Sequence, residues 1–359
     1  MALAVEFQNV SKVYSGRKVL DHLSMQIEAN TFTVLFGPPG SGKSVILRLL
    51  AGLEKPDSGR IMLRGSDAAH VPPGDRNLGY VPQSFALYPH YKVADNIGYP
   101  LQLMGMPVAQ RKPIVESAAE SLKIAHLLDK KPDQLSGGEK QRVAIARGIV
   151  KHTDIFILDD PLTGLDFKLR EQLFDDLRAM RESLNATFIY TTSDALEALI
   201  LAEHVIVFDG GQTIEAGILE SVYARPSHVR TVALLGFPEA NVFDGELENG
   251  VCRSPIGQFQ AQTGLNGSAA APVKIAARPQ DIRFELTDNM IAFDAEITLV
   301  EDLGSEFVAY LEARGLSLTA VVRHADADTL SEGRTTAGIL PEKLLLYDKT
   351  GHLIGQGAS

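Results

Sequence analysis

Eight consecutive residues near the amino end combine glycines with one lysine and one serine at a spacing that can hold phosphate groups. Residues 37–44 read GPPGSGKS and fit the pattern G-x-x-x-x-G-K-[ST] in full. Glycines let the backbone pass close to phosphate oxygens, and the amino end of a following helix directs free N–H groups at them. Lys43 would reach the β- and γ-phosphates, and the Ser44 hydroxyl would bind Mg²⁺. The pattern therefore predicts a site for a nucleoside triphosphate and Mg²⁺, although alone it does not separate kinases, GTPases and transport ATPases.

The flanking residues support this interpretation of the loop. The apolar run at 31–36 predicts a strand and the run at 45–50 predicts a helix, which is the context in which the motif binds phosphate. A chance glycine-rich turn is the alternative, and this context argues against it. The residues expected to contact the nucleotide here are Gly37, Gly40, Ser41, Gly42, Lys43, Ser44 and Val45.

A second glycine-led segment, LSGGEKQR, occupies residues 135–142. Ser136 is placed to cap a helix that begins at Gly137 and Gly138, so the segment predicts a second anion site at a helix amino terminus. Taken alone, it could be an ordinary helix cap. The apolar run at 155–158, which predicts a buried strand ending in Asp159 and Asp160, makes the combination specific.

These three segments together resemble the ABC ATPase family. The resemblance implies that Ser136, Gly137 and Gly138 close over the γ-phosphate held by a second such subunit, so that each site is shared across a dimer. It also implies functional roles for four further residues outside the loop: Tyr14 stacks on adenine, Gln83 touches Mg²⁺ or the attacking water, Asp159 holds Mg²⁺ through water, and Asp166 belongs to the D-loop.

Each of these four residues also has a purely structural alternative. Tyr14 could be an aromatic side chain of a strand, and Gln83 a solvated loop amide. Asp159 and Asp166 could be exposed loop carboxylates.

Three positions depart from the family pattern. The catalytic glutamate of the family is Asp160 here, and the switch histidine is Ser193. Asp is shorter by one methylene, about 1.5 Å, and a misplacement of about 1 Å can lower a rate roughly a hundredfold. Val45 replaces a hydroxyl residue but keeps its N–H. We therefore expect nucleotide binding to survive and hydrolysis at this site to be slow or absent.

The departures favour a heterodimer, in which this chain lends an intact Ser136–Gly138 segment to the competent site of a non-identical ATPase subunit. A homodimer in which Asp160 acts through a relocated water is one alternative. A regulatory nucleotide-binding subunit that does not hydrolyse ATP is another. An ABC ATPase acting on ribosomes or DNA would usually carry tandem cassettes or long coiled-coil insertions, and neither occurs in this sequence.

Segments at 85–90, 277–282 and 301–306 resemble the ATPases of bacterial importers of maltose, glycerol phosphate and polyols. That resemblance implies two transmembrane permease subunits and a periplasmic or extracellular solute-binding protein as partners. It places the chain at the cytoplasmic face of the bacterial inner membrane. The family usually has Glu and His where Gln280 and Asp281 stand, so a regulatory contact there is not expected to be kept.

The order of elements predicts an α/β ATPase domain with a helical subdomain over about 94–150, followed by a small all-β domain resembling an OB (TOBE-type) fold. A chain of 359 residues exceeds the size at which one core stops growing, so two domains are expected. Composition shifts after Pro226 place the domains at residues 1–235 and 236–359. Alternating runs broken by Gly and Pro beyond 272 predict a β-barrel.

The charge balance excludes one class of partner. The formal net charge is −11, whereas a nucleic-acid-binding protein normally has a basic face, so no nucleic-acid partner is expected. Glu6 follows the amino terminus closely and no uncharged apolar stretch is long enough to span a bilayer, so neither a signal peptide nor a membrane span is expected. Cys252 is the one cysteine, which rules out an internal disulfide.

Overall fold

The computed structural model describes residues 2–151, 153–164, 167–264, 270–324, 330 and 332–358. It divides into two compact units, Met1–Leu219 and Glu220–Ser359. Residues 220–235, assigned to the first domain by composition, are counted with the second unit, where Val232 packs against Ala276 and Tyr347. No helix in the described part of the chain is long and apolar enough to cross a membrane.

Two sheets form the framework of the first unit. One is antiparallel in the order β2-β1-β4-β5, and the other has the order β10-β9-β3-β8-β7-β6, in which all neighbours except β10 and β9 run parallel. The strands are β1 (Leu3–Tyr14), β2 (Arg17–Glu28), β3 (Phe32–Phe36), β4 (Ser58–Leu63), β5 (Ser66–Asp67), β6 (Gly79–Val81), β7 (Ile155–Asp159), β8 (Thr187–Thr192), β9 (His204–Asp209) and β10 (Gln212–Ile218).

Every residue of β3, β7 and β8 is buried, which explains why the runs at 31–36 and 155–158 are apolar without alternating with charged residues. Helices pack around them and supply the predicted helical subdomain through α2, α3 and α4. The helices are α1 (Lys43–Ala51), α2 (Val93–Leu103), α3 (Val108–Ser121), α4 (Gly137–Ile149), α5 (Phe167–Leu184) and α6 (Ala195–Leu201).

The second unit begins with two short helices and continues as strands. A closed barrel has the order β11-β12-β13-β21-β20-β14, and a separate sheet has the order β15-β19-β16-β17-β18, so the predicted α/β fold followed by an all-β part is confirmed. The elements are α7 (Leu219–Ala224), α8 (Val229–Leu234), β11 (Asn241–Glu248), β12 (Val251–Ser254), β13 (Gly257–Thr263), β14 (Ala271–Ala277), β15 (Ile282–Arg283), β16 (Ile291–Asp302), β17 (Glu306–Ala313), β18 (Leu316–Arg323), β19 (Gly333–Ile339), β20 (Leu345–Tyr347) and β21 (Leu353–Ala358).

Cys252 lies in the core of the second unit, on β12. The side chain is fully buried, and burial raises the pKa of its thiol to about 11. The residue is therefore an apolar packing element, as its isolation in the sequence predicts.

A buried ion pair ties the helical subdomain to α5. Arg142, on α4, donates to the Asp176 carboxylate on α5 and, at 2.9 Å, to the carbonyl oxygen of Leu122. The Lys123 ammonium lies 3.1 Å from the same carboxylate. Because Arg142 and Asp176 are both nearly inaccessible to water, removing Asp176 leaves the buried Arg142 guanidinium without this counter-ion.

We predict that Asp176→Ala destabilises the first unit by about 3–5 kcal/mol, because the Arg142 guanidinium loses its buried counter-ion. Differential scanning calorimetry of the full chain measures the effect. Asp129→Ala is the matched control, since Asp129 pairs with Lys92 on the surface and is 94% exposed. If both variants melted at the temperature of the unmodified chain, the ion pair would not contribute to stability.

Candidate functional site

The loop between β3 and α1 has the backbone shape that its glycines predict. Gly40 and Gly42 take left-handed φ values of 76° and 109°. A Cβ added to Gly37 would lie 1.9 Å from the carbonyl oxygen of Phe208, so no other residue fits there without a shift of β9. The Gly37 N–H donates to the Thr192 carbonyl oxygen at 3.3 Å. The loop is therefore fixed against the carboxyl ends of β8 and β9.

Lys43 folds back over this loop. Its Nζ donates to the carbonyl oxygens of Gly37 at 2.7 Å and Pro38 at 3.0 Å. Burial lowers the pKa of Lys43, while the Asp160 and Asp159 carboxylates oppose that shift. A cation with two main-chain acceptors on the rim of a glycine loop is well placed to exchange them for phosphate oxygens.

An unpartnered hydroxyl indicates what the loop can hold. Ser41 Oγ is buried and has no hydrogen-bond partner among the described residues. A buried polar atom without a partner is costly, so a ligand or water that bonds to it is favoured. This orphan atom, the left-handed glycines and Lys43 together fit a phosphate group.

Oxygen atoms suited to a divalent cation lie beside the loop. Ser44 Oγ donates to Asp159 Oδ1 at 2.8 Å, and Thr191 Oγ1 donates to the same oxygen at 3.0 Å. A hydroxyl next to a carboxylate matches the hard oxygen ligands that Mg²⁺ takes when it also binds nucleotide phosphates.

The charge of Asp159 also affects Tyr80. Burial, with a contribution from this charge, raises the pKa of the Tyr80 phenol to about 12, so the phenol stays neutral near neutral pH.

Asp160 and Gln83 are brought together by the structure. Gln83 Nε2 donates to Asp160 Oδ2 at 3.3 Å. The Asp160 backbone is left-handed, with φ 45°, and its N–H donates to Thr191 Oγ1 at 3.0 Å. A left-handed conformation is uncommon outside glycine, although Asp tolerates it better than most residues, and such strain clusters at functional sites.

The predicted switch position lies at the same edge of the sheet. Ser193 is exposed and stands between the end of β8 and Asp194, whose side chain caps α6. Asp194 Oδ1 accepts from Leu196 N at 2.8 Å, and Asp194 Oδ2 accepts from Arg170 Nη1 at 2.9 Å. The backbone on either side of Ser193 is thus well fixed, but its side chain is short.

Tyr14 lies away from the phosphate loop, near the other end of α1. Its hydroxyl donates to the Glu54 carboxylate, which also accepts from Arg48 Nε at 2.7 Å. The Lys12 ammonium is 5.4 Å from the centre of the Tyr14 ring. Tyr14 is 36% exposed as a whole residue, so a planar group could still stack on its ring.

The glycine-led segment begins α4 as predicted. Ser136 Oγ accepts from Glu139 N at 3.3 Å and Glu139 Oε2 accepts from Ser136 N at 2.7 Å, which is a complete capping box. Gly137 is exposed, while a Cβ on Gly138 would lie 2.8 Å from Leu169. Among the described residues, no hydrogen bond or ion pair joins this helix start to the phosphate loop of the same chain.

Two further residues were predicted to contact the nucleotide, Asp166 and Val45. Asp166 lies outside the described residues. Val45 is buried in the core of the first unit, so the residue that replaces a hydroxyl serves packing through its side chain.

Thr191 was missed by the sequence analysis. Its hydroxyl bonds to Asp159 and to the Asp160 backbone, and it stands opposite Asp159 in the parallel pairing of β7 and β8. Carboxyl ends of neighbouring parallel strands meet at one edge of a sheet, so a hydroxyl residue near the end of the strand beside β7 was the signal that could have identified it.

Comparison with known proteins gives a consistent picture. A family model described as ABC transporter matches residues 20–163. The sn-glycerol-3-phosphate import ATP-binding protein UgpC of Jannaschia sp. (strain CCS1) is 35% identical over 344 residues, covering 94% of this chain and 96% of the relative. The maltose/maltodextrin import ATP-binding protein MalK of Yersinia pestis bv. Antiqua (strain Antiqua) is 33% identical over 361 residues, covering 97% and 96%.

A solved structure resembles part of the chain. It is the dimeric structure of a post-hydrolysis state of the ATP-binding cassette MJ0796 bound to ADP and Pi. Its TM-score is 0.56 at 28% identity, and the match covers 60% of this chain and 98% of that one.

We predict that Lys43→Ala lowers ATP affinity by about a hundredfold, because the phosphates lose their charge-assisted hydrogen bonds from the Lys43 ammonium. Titration with a fluorescent ATP analogue measures the affinity. Lys112→Ala removes the same charge from an exposed face of α3 and should leave affinity unchanged. Equal affinities of the two variants would contradict the assignment of this loop.

Proposed function

This chain belongs to the ABC transporter family of ATP-binding proteins, and from that membership we propose that it drives uptake of a sugar, polyol or glycerol-phosphate-like solute. The relatives named for glycerol-3-phosphate and maltose import support the solute class. The observation that carries the proposal is the contact of Ser44 Oγ with Asp159 Oδ1 beside the loop that Lys43 covers. It joins the phosphate cradle to a metal-binding carboxylate.

Each residue of this cradle has a proposed task. Lys43 and the N–H groups at the start of α1 would bind the phosphates, and Ser44, Asp159 and Gln83 would hold Mg²⁺. Bound Mg²⁺ would neutralise charge that develops on the phosphates during hydrolysis. Thr191 orients Asp159 through the 3.0 Å hydrogen bond and so keeps the carboxylate directed at Ser44.

We further propose that this chain hydrolyses ATP poorly at its own loop and works as one half of a heterodimer. Asp160 is too short by about one C–C bond, 1.5 Å, to reach the water that a glutamate would reach from the same backbone. Ser193 offers no imidazole to the γ-phosphate. The glycine-led segment keeps Ser136, Gly137 and Gly138, so this chain would be able to complete the site of a partner ATPase.

A homodimer in which Asp160 is the base is the second candidate. The 3.3 Å hydrogen bond from Gln83 to Asp160 favours it, because a fixed carboxylate can act through a bridging water. In either assembly, two transmembrane permease subunits and an extracytoplasmic solute-binding protein would complete the importer, with this chain at the cytoplasmic face. Residues 236–359 would form a regulatory domain.

Comparing ATPase rates decides between the two assemblies. We predict that the purified chain turns over slowly and that Asp160→Glu combined with Ser193→His raises the rate at least tenfold, because the base then reaches its water. Phosphate release at saturating MgATP is the measurement. Robust turnover by the unmodified chain would remove the heterodimer proposal and favour the homodimer.

Gly137→Asp tests the shared site. We predict that it lowers ATPase activity of the assembled transporter by about a hundredfold or more, because a carboxylate would meet the γ-phosphate of the partner's nucleotide. ATP affinity of the isolated chain should stay unchanged, since its own loop is intact. Full activity of the assembled variant would exclude a composite site built on α4.

A further inference from the structure

Two consecutive residues shortly after Gln83 adopt a left-handed backbone conformation, which residues with a Cβ atom disfavour. Phe85 and Ala86 have φ values of 59° and 47°, both in the left-handed region. Neither is glycine, asparagine or aspartate, the residues that tolerate this region best. Such strain persists only where surrounding groups hold it in place. The turn at 85–86 therefore needs a hold, meaning contacts from another segment that keep its backbone left-handed.

Arg147, in the last turn of α4, supplies that hold. Its Nη2 donates to the Phe85 carbonyl oxygen at 2.6 Å and its Nη1 donates to the Ala86 carbonyl oxygen at 2.6 Å. The guanidinium also lies 5.6 Å from the centre of the Tyr88 ring. A rigid planar fork suits two consecutive carbonyl oxygens better than the single ammonium of lysine does.

The segment is fixed on both sides of this turn. On one side, Gln83 Nε2 donates to Asp160. On the other, the buried Asn96 on α2 accepts from Tyr88 N at 2.8 Å and donates to the Tyr88 carbonyl oxygen at 3.1 Å. The strained turn lies between these two anchors, so its conformation sets how far Gln83 extends from α2 toward Asp160.

We propose that Arg147 is a positioning residue for Gln83, holding the 85–86 turn left-handed so that the amide reaches Asp160. The hold is independent of the proposed function, whereas its effect on Mg²⁺-dependent ATP binding rests on the role proposed for Gln83.

Amide hydrogen exchange on the full-length chain tests the hold directly. The Phe85 and Ala86 N–H groups donate to Pro82 and Ser84 carbonyl oxygens within the turn, so their exchange reports its integrity. We expect Arg147→Met to accelerate exchange at these amides about tenfold or more, and Arg147→Lys to give an intermediate rate. Arg111→Met, which removes an arginine that donates to Gln102 on the same subdomain, is the control.

Unchanged exchange at 85–86 in Arg147→Met, or in Arg147→Lys if the first variant does not fold, would overturn the proposal. Acceleration over the whole of α4 and α2 would also overturn it, because that result indicates general unfolding and not a local hold.

A second experiment tests whether the hold affects the role of Gln83 at the nucleotide site. It measures the increase in ATP affinity that Mg²⁺ causes. Arg147→Met should lose as much of this increase as Gln83→Ala does, and the double variant should lose no more, since both changes act through one amide. Adding Phe85→Gly and Ala86→Gly to Arg147→Met should restore part of the loss, because glycine adopts left-handed backbone without strain. Additive losses would show that Arg147 acts elsewhere. If Gln83→Ala had no effect, the proposed role of Gln83 would fail, while the exchange result would still decide the hold.

Discussion

A buried ammonium group at the carboxyl ends of neighbouring parallel strands sets the constraints for the nucleotide site. Lys43 is stable there because carbonyl oxygens of its own loop accept from it and two carboxylates face it. That arrangement requires β8 to pair in register with β3 on one side and with β7 on the other. It also requires glycine at position 37, where the Phe208 carbonyl leaves no space for a side chain.

Local signals in the sequence predict the features that depend on neighbouring residues in the chain. The loop at 37–44, the buried strand at 155–158 that became β7 and the cap at Ser136 are of this kind, since each follows from spacing, an apolar run or capping chemistry. The three residues of β6 are too few to show a periodicity, and β12 and β13 lie in a stretch rich in Gly, Ser and Gln. The roles of Thr191 and Arg147 depend on which segments meet in space, and the sequence alone gives no direct measure of that.

The residues proposed to bind the nucleotide differ in burial and side-chain length from those proposed to activate water. In the first set, Lys43 and Asp159 are buried; Lys43 donates to the Gly37 carbonyl oxygen, and Asp159 accepts from Ser44. The second set consists of the short side chains of Asp160 and Ser193, one of them on left-handed backbone and the other exposed. The Thr191 hydroxyl joins the two sets, because it donates to Asp159 and accepts from the Asp160 N–H. In the proposed heterodimer, the short side chains slow hydrolysis at this site while the groups that bind the phosphates are kept.

The state of Cys252 makes the chain unusually convenient for spectroscopy. Burial raises the pKa of its thiol to about 11 and leaves the side chain no exposed surface, so Cys252 stays protonated near neutral pH and is shielded from reagents. A cysteine introduced on the surface would thus be modified selectively in the otherwise natural sequence. Paramagnetic or fluorescent reporters could follow the motions of individual segments without first removing a native residue from the barrel core.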